Sequence, residues 1–425
     1  MKVACAPASA LTRAGARDLD LVLYGPATTP KQISAGGQIL RVIQNQHLAP
    51  VPRAWDLLSI ALSVVAADLN VRRDLSPDGW TRQIDLRIAV GEPDFWTSQV
   101  PALRQQLCFL TTDVWNLTFF DGAAPSPSGT QLTYPKQDSV VLLSGGLDSL
   151  IGAIDIVSAD EDSPYAVSQV SQGDKQTQQL FASRIGGGLK HLQLNHNTNY
   201  LGPAERSQRA RSLVFLAYGV LAATALAHHL EGGEVPLYVC ENGFISLNPP
   251  LTGSRLGSLS TRTTHPVFLR LFQELLEAAE LRVRLETPYQ FATKGEMLRR
   301  CKDQGLLRET APLSTSCGRY ARHGYRHCGR CVPCLIRRAA FHGSGLTDVT
   351  QYVYADLWRD DESHARHDDV RSAAMAVAEA DARGTAEWAR RAVSHSALDA
   401  PATYADVLEQ GIRELGEFLG VAGVA

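Results

Sequence analysis

The sequence predicts an α/β protein: a parallel, doubly wound sheet, preceded by an α+β domain and followed by a helical part. Three observations carry this. From Ser139 onward, short apolar runs alternate with helical patterns, and strands separated by helical crossovers pair in parallel with helices on both faces. The first of those runs breaks at a glycine turn and restarts as an apolar helix, and four of the eight cysteines crowd between positions 317 and 334.

At 425 residues the chain exceeds what one core usually fills. Residues 1–125 mix β-like runs (Leu21 to Tyr24, Gln83 to Val90, Trp115 to Phe120) with a helix pattern over Ala54 to Asp68, which reads as the α+β domain. The stretch from Asp121 to Thr130 is too rich in Gly, Pro and Ser to bury a core and reads as a linker. Residues 136–345 hold the sheet domain. Its strands are expected at 139–143, 165–170, 189–194, 235–240 and 281–286, and its helices at 149–157, 175–185, 206–230, 266–280 and 293–304. Residues 346–425 are rich in Ala, Glu and Arg at helical spacing, as over Val370 to Asp381 and Tyr404 to Leu419, and form a helical extension.

A formal net charge of -3 gives no global reason to bind nucleic acid or anionic membrane. No run reaches the roughly 18 to 20 apolar residues of a membrane helix; the best candidate, Leu213 to Leu230, carries Tyr218, His228 and His229. The start, Met1 to Pro7, shows no apolar run before a small-residue cleavage site. A cytoplasmic protein is expected, with no membrane partner and no strong nucleic-acid signal.

Val140 to Leu143 stops at Ser144-Gly145-Gly146-Leu147-Asp148-Ser149 and continues as the helix from Leu150. Strand, glycine turn and helix together aim backbone N–H groups, two hydroxyls and a helix N-terminus at one point, a cradle for phosphate. The plainer alternative is a tight turn capped by Asp148 or Ser149. No Gly-Lys-Ser/Thr follows, so this is not a Walker A loop. It resembles the PP-loop of adenine-nucleotide α-hydrolase (HUP) proteins. That likeness implies ATP split between its α and β phosphates, with Asp148 helping to hold Mg2+. Lys294 opens a helix after a late strand, which brings it to the sheet's ligand edge to neutralise a leaving pyrophosphate; otherwise it is a solvated lysine. Arg206, Arg209 and Arg211 crowd a helix N-terminus, where cations oppose the dipole unless an anion is present. Arg209 or Arg211 is a candidate for phosphate or a carboxylate, against the reading of all three as surface arginines.

Cys317, Cys328, Cys331 and Cys334 offer four thiolates with no open position, which suits structural Zn2+. An iron–sulfur cluster or a catalytic thiol is the competing reading. His323 and His327 read as surface residues, Cys108 and Cys240 as inert core, and Cys301 is unassigned.

The glycine turn, Thr287-Pro-Tyr with Thr293-Lys294, and Ser316-Cys317 with Cys328 through Phe341 together resemble the QueC family, the 7-cyano-7-deazaguanine synthases, over roughly residues 138–345. The resemblance implies an AMP-forming, ATP-dependent carbon–nitrogen ligase. It would activate the carboxylate of 7-carboxy-7-deazaguanine and transfer it to an amine. The first domain, the extension and the segments Glu241–Pro250 and Ser258–Pro266 are similar to QueC-like proteins of anti-phage defence, the QatC branch of the Qat system. The likeness to that branch implies, as an alternative to ammonia, an amine on a partner protein from the same operon. Glu241 and Asn242 follow a strand end and are placed to read a purine-like edge. Arg262 and His265 are placed to orient a carboxylate or serve acyl transfer; the alternative is a polar loop without chemistry. The rival functions are a tRNA-modifying PP-loop enzyme and a non-catalytic ATP-binding component of a defence complex.

Overall fold

The computed structural model describes residues 1–125 apart from 14 and 16, then 131–159, 163–171, 173–205, 209–251, 262–357, 369–393 and 397–424. Arg206, positions 126–130 of the linker and positions 258–261 therefore lie outside the described residues.

Two five-stranded sheets organise the chain. The first contains β1 (Lys2–Ala6), β2 (Leu19–Leu23), β3 (Gln32–Ala35), β4 (Gln83–Val90) and β5 (Val114–Asp121) in the order β3-β2-β1-β4-β5. The second contains β6 (Val140–Leu142), β7 (Tyr165–Gln169), β8 (His191–Leu194), β9 (Val235–Tyr238) and β10 (Val283–Glu286) in the order β10-β9-β6-β7-β8. Every pairing in both is parallel. Counted from its own first strand, each sheet runs third, second, first, fourth, fifth, so the order reverses beside β1 in one and beside β6 in the other.

The expected α+β character of residues 1–125 is thus corrected to α/β. Lys2–Ala6 and Gln32–Ala35 are short, and the second alternates weakly, so neither announces itself as a strand. Helices α1 (Ile39–Asn45) and α2 (Pro52–Asn70) carry the chain from β3 to β4, and α3 (Pro93–Ser98) and α4 (Val100–Thr111) carry it from β4 to β5.

The second sheet is covered by α5 (Leu147–Ala159), α6 (Lys175–Arg184), α7 (Arg211–Ala223), α8 (Ala227–Leu230), α9 (Gly243–Leu247) and α10 (Pro266–Ala278). The single helix expected over 206–230 is two: Leu226 is extended, and the Ala227 N–H turns out to meet Pro135 O at 2.9 Å. Next come α11 (Lys294–Arg300), α12 (Gln304–Thr310) and α13 (Val332–Ser344), then the extension, α14 (Asp369–Arg383), α15 (Thr385–Ala392) and α16 (Pro401–Val421).

Helix α2 shows how the sheets are joined. Every residue from Ala54 to Leu69 is buried, the signature of a helix with apolar surroundings on all sides. It lies on the first sheet and packs against α7, which lies on the second. One continuous apolar core therefore runs from β1–β4 through α2 and α7 to β6, β7 and β9. A second core joins α9 and α13 to the extension. No described helix is long and apolar enough to cross a membrane.

Candidate functional site

The glycine turn lies at the carboxyl end of β6, where the strand order reverses and ligands of open parallel sheets bind. Gly145 has φ +88°, a conformation that side chains disfavour. The Ser144 and Ser149 hydroxyls lie 3.0 Å apart, the Gly146 N–H donates to Ser144 Oγ at 3.2 Å, and Ser149 Oγ donates to Gly146 O at 3.0 Å. From outside, Gln178 Nε2 donates to Ser144 O at 3.1 Å and the Thr315 N–H to Gly145 O at 2.9 Å. Leu147 is the first residue of α5 and points into the core.

The next residue, Asp148, is buried and held from two directions. Lys294 Nζ donates to Oδ1, while Asn242 donates to Oδ2 through Nδ2 at 2.6 Å and its backbone N–H at 3.2 Å. Burial alone would raise this carboxyl. The Lys294 charge and hydrogen bonds from Glu241, Lys294 and Asn242 outweigh it and hold the pKa down to about 2. Burial, and then the Asp148 charge, push the Glu241 carboxyl well above its ordinary value, which favours the protonated form that donates to Asp148. Lys294 is fixed by a capping box: Thr293 caps α11 and Glu296 bonds back to the Thr293 N–H.

Two clefts meet above this cluster. The first, about 720 Å³, is lined by Ser144, Ser149, Gln169, Arg211, Ser212 and Thr263. Gln169 Nε2 and Ser212 Oγ are buried with no hydrogen-bond partner among the described residues, polar atoms of the kind that await a ligand. The second, about 760 Å³, lies between Leu269, Leu285 and Gln290, with Asp399 and Tyr404 from the extension. Val239, Glu241 and Thr264 line both.

Of the residues expected here, the structure brings together Ser144, Gly145, Gly146, Asp148, Ser149, Arg211, Glu241, Asn242 and Lys294. Asn242 is wholly buried, and its amide is engaged inside the fold: Oδ1 caps α9 by accepting from the Ile245 N–H at 3.0 Å, and Nδ2 serves Asp148. The oxygens of Asp148 accept from Lys294 Nζ and from both Asn242 donors, and the protonated Glu241 carboxyl adds another.

Other expectations are corrected. Arg209 turns away from phosphate: its guanidinium lies 4.8 Å from the Trp80 ring centroid and donates to Thr111 O at 3.3 Å. Arg262 and His265 pack on Phe109 of α4, with ring-centroid separations of 4.6 Å and 5.1 Å, and His265 Nδ1 caps α10 through the Val267 N–H. Aromatic contact between the two halves of the molecule engages both. Cys108 is exposed, His327 is buried and accepts from the Ser316 N–H at 3.1 Å, and Cys301 is buried at the end of α11. Gln169, Ser212, Thr263 and Thr264 went unrecognised in the sequence. Gln169 was accessible to the rule that ligands gather at strand carboxyl ends, whereas the others sit at helix starts without a distinguishing pattern.

The four cysteine sulfurs lie within 4.8 Å of one another, with Cys317–Cys331 at 3.8 Å and Cys328–Cys334 at 3.9 Å. Zinc–sulfur bonds of about 2.3 Å in a tetrahedron separate the sulfurs by about 3.8 Å, so the set fits Zn2+. Backbone N–H groups of Arg319 and Cys328 point at Cys317 Sγ, and those of Arg330 and Cys331 at Cys328 Sγ, at 3.2–3.5 Å. The turn is built against the glycine loop, because Thr315 and Ser316 directly precede Cys317. Buried Arg337 of α13 ties Ala311 O, Ser314 Oγ and Ser316 Oγ together at 2.7, 2.8 and 3.1 Å.

Fold and site define a class: a doubly wound parallel α/β protein with a glycine turn at the switch point and a four-cysteine cluster that fits zinc beside it. Comparison with known proteins then narrows the class. Residues 263–345, which contain Lys294 and all four cysteines, match the family described as Queuosine biosynthesis protein QueC. The chain is 37% identical over 97 residues to the 7-cyano-7-deazaguanine synthase of Paracoccus denitrificans, covering 22% of this chain and 39% of that one. It is 38% identical over 151 residues to the synthases of Brucella canis and Brucella suis, covering 35% of this chain and 53% of each. The chain thus spans about half the length, or less, of these curated relatives. No solved structure matches. These similarities support a QueC-like family.

Proposed function

We propose that this chain is a QueC-like, ATP-dependent, AMP-forming carbon–nitrogen ligase acting on the carboxylate of a 7-deazaguanine. The observation that carries the reading is the pair of clefts joined at Glu241, one floored by the glycine turn and the other by apolar side chains. A nucleotide in the first cleft would set its phosphates on the N–H groups of Gly145, Gly146 and Leu147 and on the Ser144 and Ser149 hydroxyls. A flat acid in the second would reach the α-phosphate past Glu241 and Thr264.

The acid's oxygen forms a bond to the α-phosphorus as the bond to the pyrophosphate oxygen breaks. The amine nitrogen then bonds to the acyl carbon, AMP departs, and the amine's proton is released. Lys294 and Arg211 supply positive charge for the developing anions. The Asp148–Lys294 ion pair keeps the ammonium group at the mouth of the loop. Magnesium would accompany the triphosphate and screen its charge. Zn2+, held by the four cysteines, would fix the Thr315 turn. The amine is ammonia or a partner-protein amine, and a role in anti-phage defence, as in the QatC branch, belongs to this same reading.

The test incubates the protein with Mg-ATP and 7-carboxy-7-deazaguanine, with ammonia or co-encoded proteins, and follows AMP, pyrophosphate and intact masses. AMP formation that requires the acid is expected. A loss of at least about 100-fold is expected in Lys294→Ala, the scale of removing one preorganised charge donor. No AMP in any combination, or unchanged turnover in Asp148→Ala and Lys294→Ala, would overturn the proposal.

A further inference from the structure

The extension lies beyond the family match, which ends at residue 345, yet it touches the site twice. Buried Glu414 of α16 accepts from Thr293 Oγ1 at 2.7 Å, and Thr293 caps the helix that begins with Lys294. The fit is close: a Cβ on Gly295 would come within 2.7 Å of Glu414 Oε1. At its other contact the extension completes the wall of the second cleft with Asp399 and Tyr404.

The polar groups on that wall form a pattern. Tyr404 OH donates to Gln290 Oε1 at 3.0 Å, which turns the amide so that Nε2 remains a donor. Phe291 packs against Tyr404 in a tilted arrangement, with ring centroids 5.0 Å apart, and supports the pair. The Asp399 carboxylate stands at the cleft mouth, 83% exposed and 3.9 Å from Arg270 Nε, a buried atom without a hydrogen-bond partner among the described residues. Among the other lining residues, which include the polar Ser246, Thr264, Gln273 and Thr287, the side chains of Val239, Pro266, Leu269 and Leu285 offer apolar surface that suits the faces of a flat ring. A carboxylate accepts two adjacent N–H groups in a paired geometry, and an amide N–H donates to a carbonyl. A ring edge carrying an amino group, a ring N–H and a carbonyl in sequence presents that complement.

We propose that the C-terminal extension builds the base-recognition wall of this site. Asp399 accepts from the amino and ring N–H groups of a 2-amino-oxopurine-like edge, and Gln290, oriented by Tyr404, donates to its carbonyl. Asp399 and Gln290 are thus specificity-determining, and Tyr404 is a positioning residue. This rests on the assignment of the second cleft to the acid.

The experiment measures, on the full chain, binding of 7-carboxy-7-deazaguanine and of its analogue lacking the 2-amino group, alongside ATP binding and pyrophosphate release. The native protein is expected to prefer the amino compound by about 10-fold or more, the scale of a charge-assisted hydrogen bond. Asp399→Asn should lose that preference, and Tyr404→Phe should weaken binding of the amino compound, both with ATP affinity unchanged. Equal binding of the two acids by the native protein, or a preference retained in Asp399→Asn, overturns the proposal. If acid-dependent pyrophosphate release persists with specificity untouched by Asp399→Asn, the wall is wrong and the ligase reading stands. If the preference follows Asp399 but no AMP forms, the wall stands and the ligase reading fails.

Discussion

Glu241 is the residue on which both clefts turn, and its discomfort is measurable. It faces the Asp148 carboxylate while buried, so its pKa in the folded protein lies well above that in the unfolded chain. Between those values the unfolded chain releases a proton that the folded chain keeps, so stability falls as pH rises past the ordinary glutamate value. Gln at this position cannot ionise. The melting temperature of Glu241→Gln is therefore expected to fall less than that of the native protein between about pH 5 and about pH 8, where an unperturbed Glu has already ionised. Parallel curves would show that Glu241 carries no such penalty. Asp148 acts with the opposite sign. Its folded pKa of about 2 lies below the unfolded one, so its contribution is present above about pH 4 and is lost as pH falls toward the folded value. The same scale shows the limit of reading side chains from sequence. Arg209 and Arg211 are two residues apart at one helix start, but Arg209 enters the first half of the molecule while Arg211 faces the cleft.

Elements carry the coupling between metal and loop. The cysteine turn begins one residue beyond Ser316, and Thr315 holds Gly145 O by its backbone N–H. Zinc held by the four cysteines would therefore order a segment that completes the glycine loop. Cys331→Ser is expected to reduce zinc affinity by more than the roughly 10- to 100-fold that follows loss of a group merely supporting a ligand. It should also weaken ATP binding, read by elemental analysis and calorimetry on the same sample. Full ATP affinity in zinc-free protein would show that turn and loop are independent. Glycines set the distances between neighbouring elements. A Cβ on Gly152 of α5 would lie 2.3 Å from Cys240 Sγ, and one on Gly411 of α16 would lie 2.1 Å from the Phe244 ring. Each permits a close approach that the helical pattern around it does not signal.

At the scale of the whole molecule, the halves are joined by charge as well as by the core through α2 and α7. Asp68, near the end of α2, accepts from Arg82 at 2.5 Å and from the N–H groups of Arg209 and Ala210 at 2.8 and 3.0 Å. It holds the chain entering the helix that presents Arg211. Asp113 accepts from Arg73 at 2.8 and 2.9 Å and from Arg82 at 2.6 Å. Asp68→Ala leaves buried guanidinium groups short of a partner and frees the Arg209 and Ala210 N–H groups ahead of α7. It is expected to destabilise the fold by about 3–5 kcal/mol, the scale of removing one member of a buried ion pair. Because one core spans both sheets, calorimetry should show them melting together in the native protein. Separate transitions for the halves would contradict the shared core.

The sequence by itself determined the features written in local pattern. Alternating strand and helix periods declared the parallel sheet, the glycine turn declared the passage from β6 to α5, and the spacing of Cys317, Cys328, Cys331 and Cys334 declared a thiolate cluster that fits zinc. Each depends on residues close along the chain, where backbone geometry alone sets which groups meet. The parallel order of the first sheet, the burial of α2 on every side, the Asp148–Lys294 pair across 146 residues and the arrival of Asp399 and Glu414 at the site were decided only in three dimensions. A buried charge or a cleft wall is defined by its partner, and the partners here lie on distant elements whose meeting is set by packing. No local period records it.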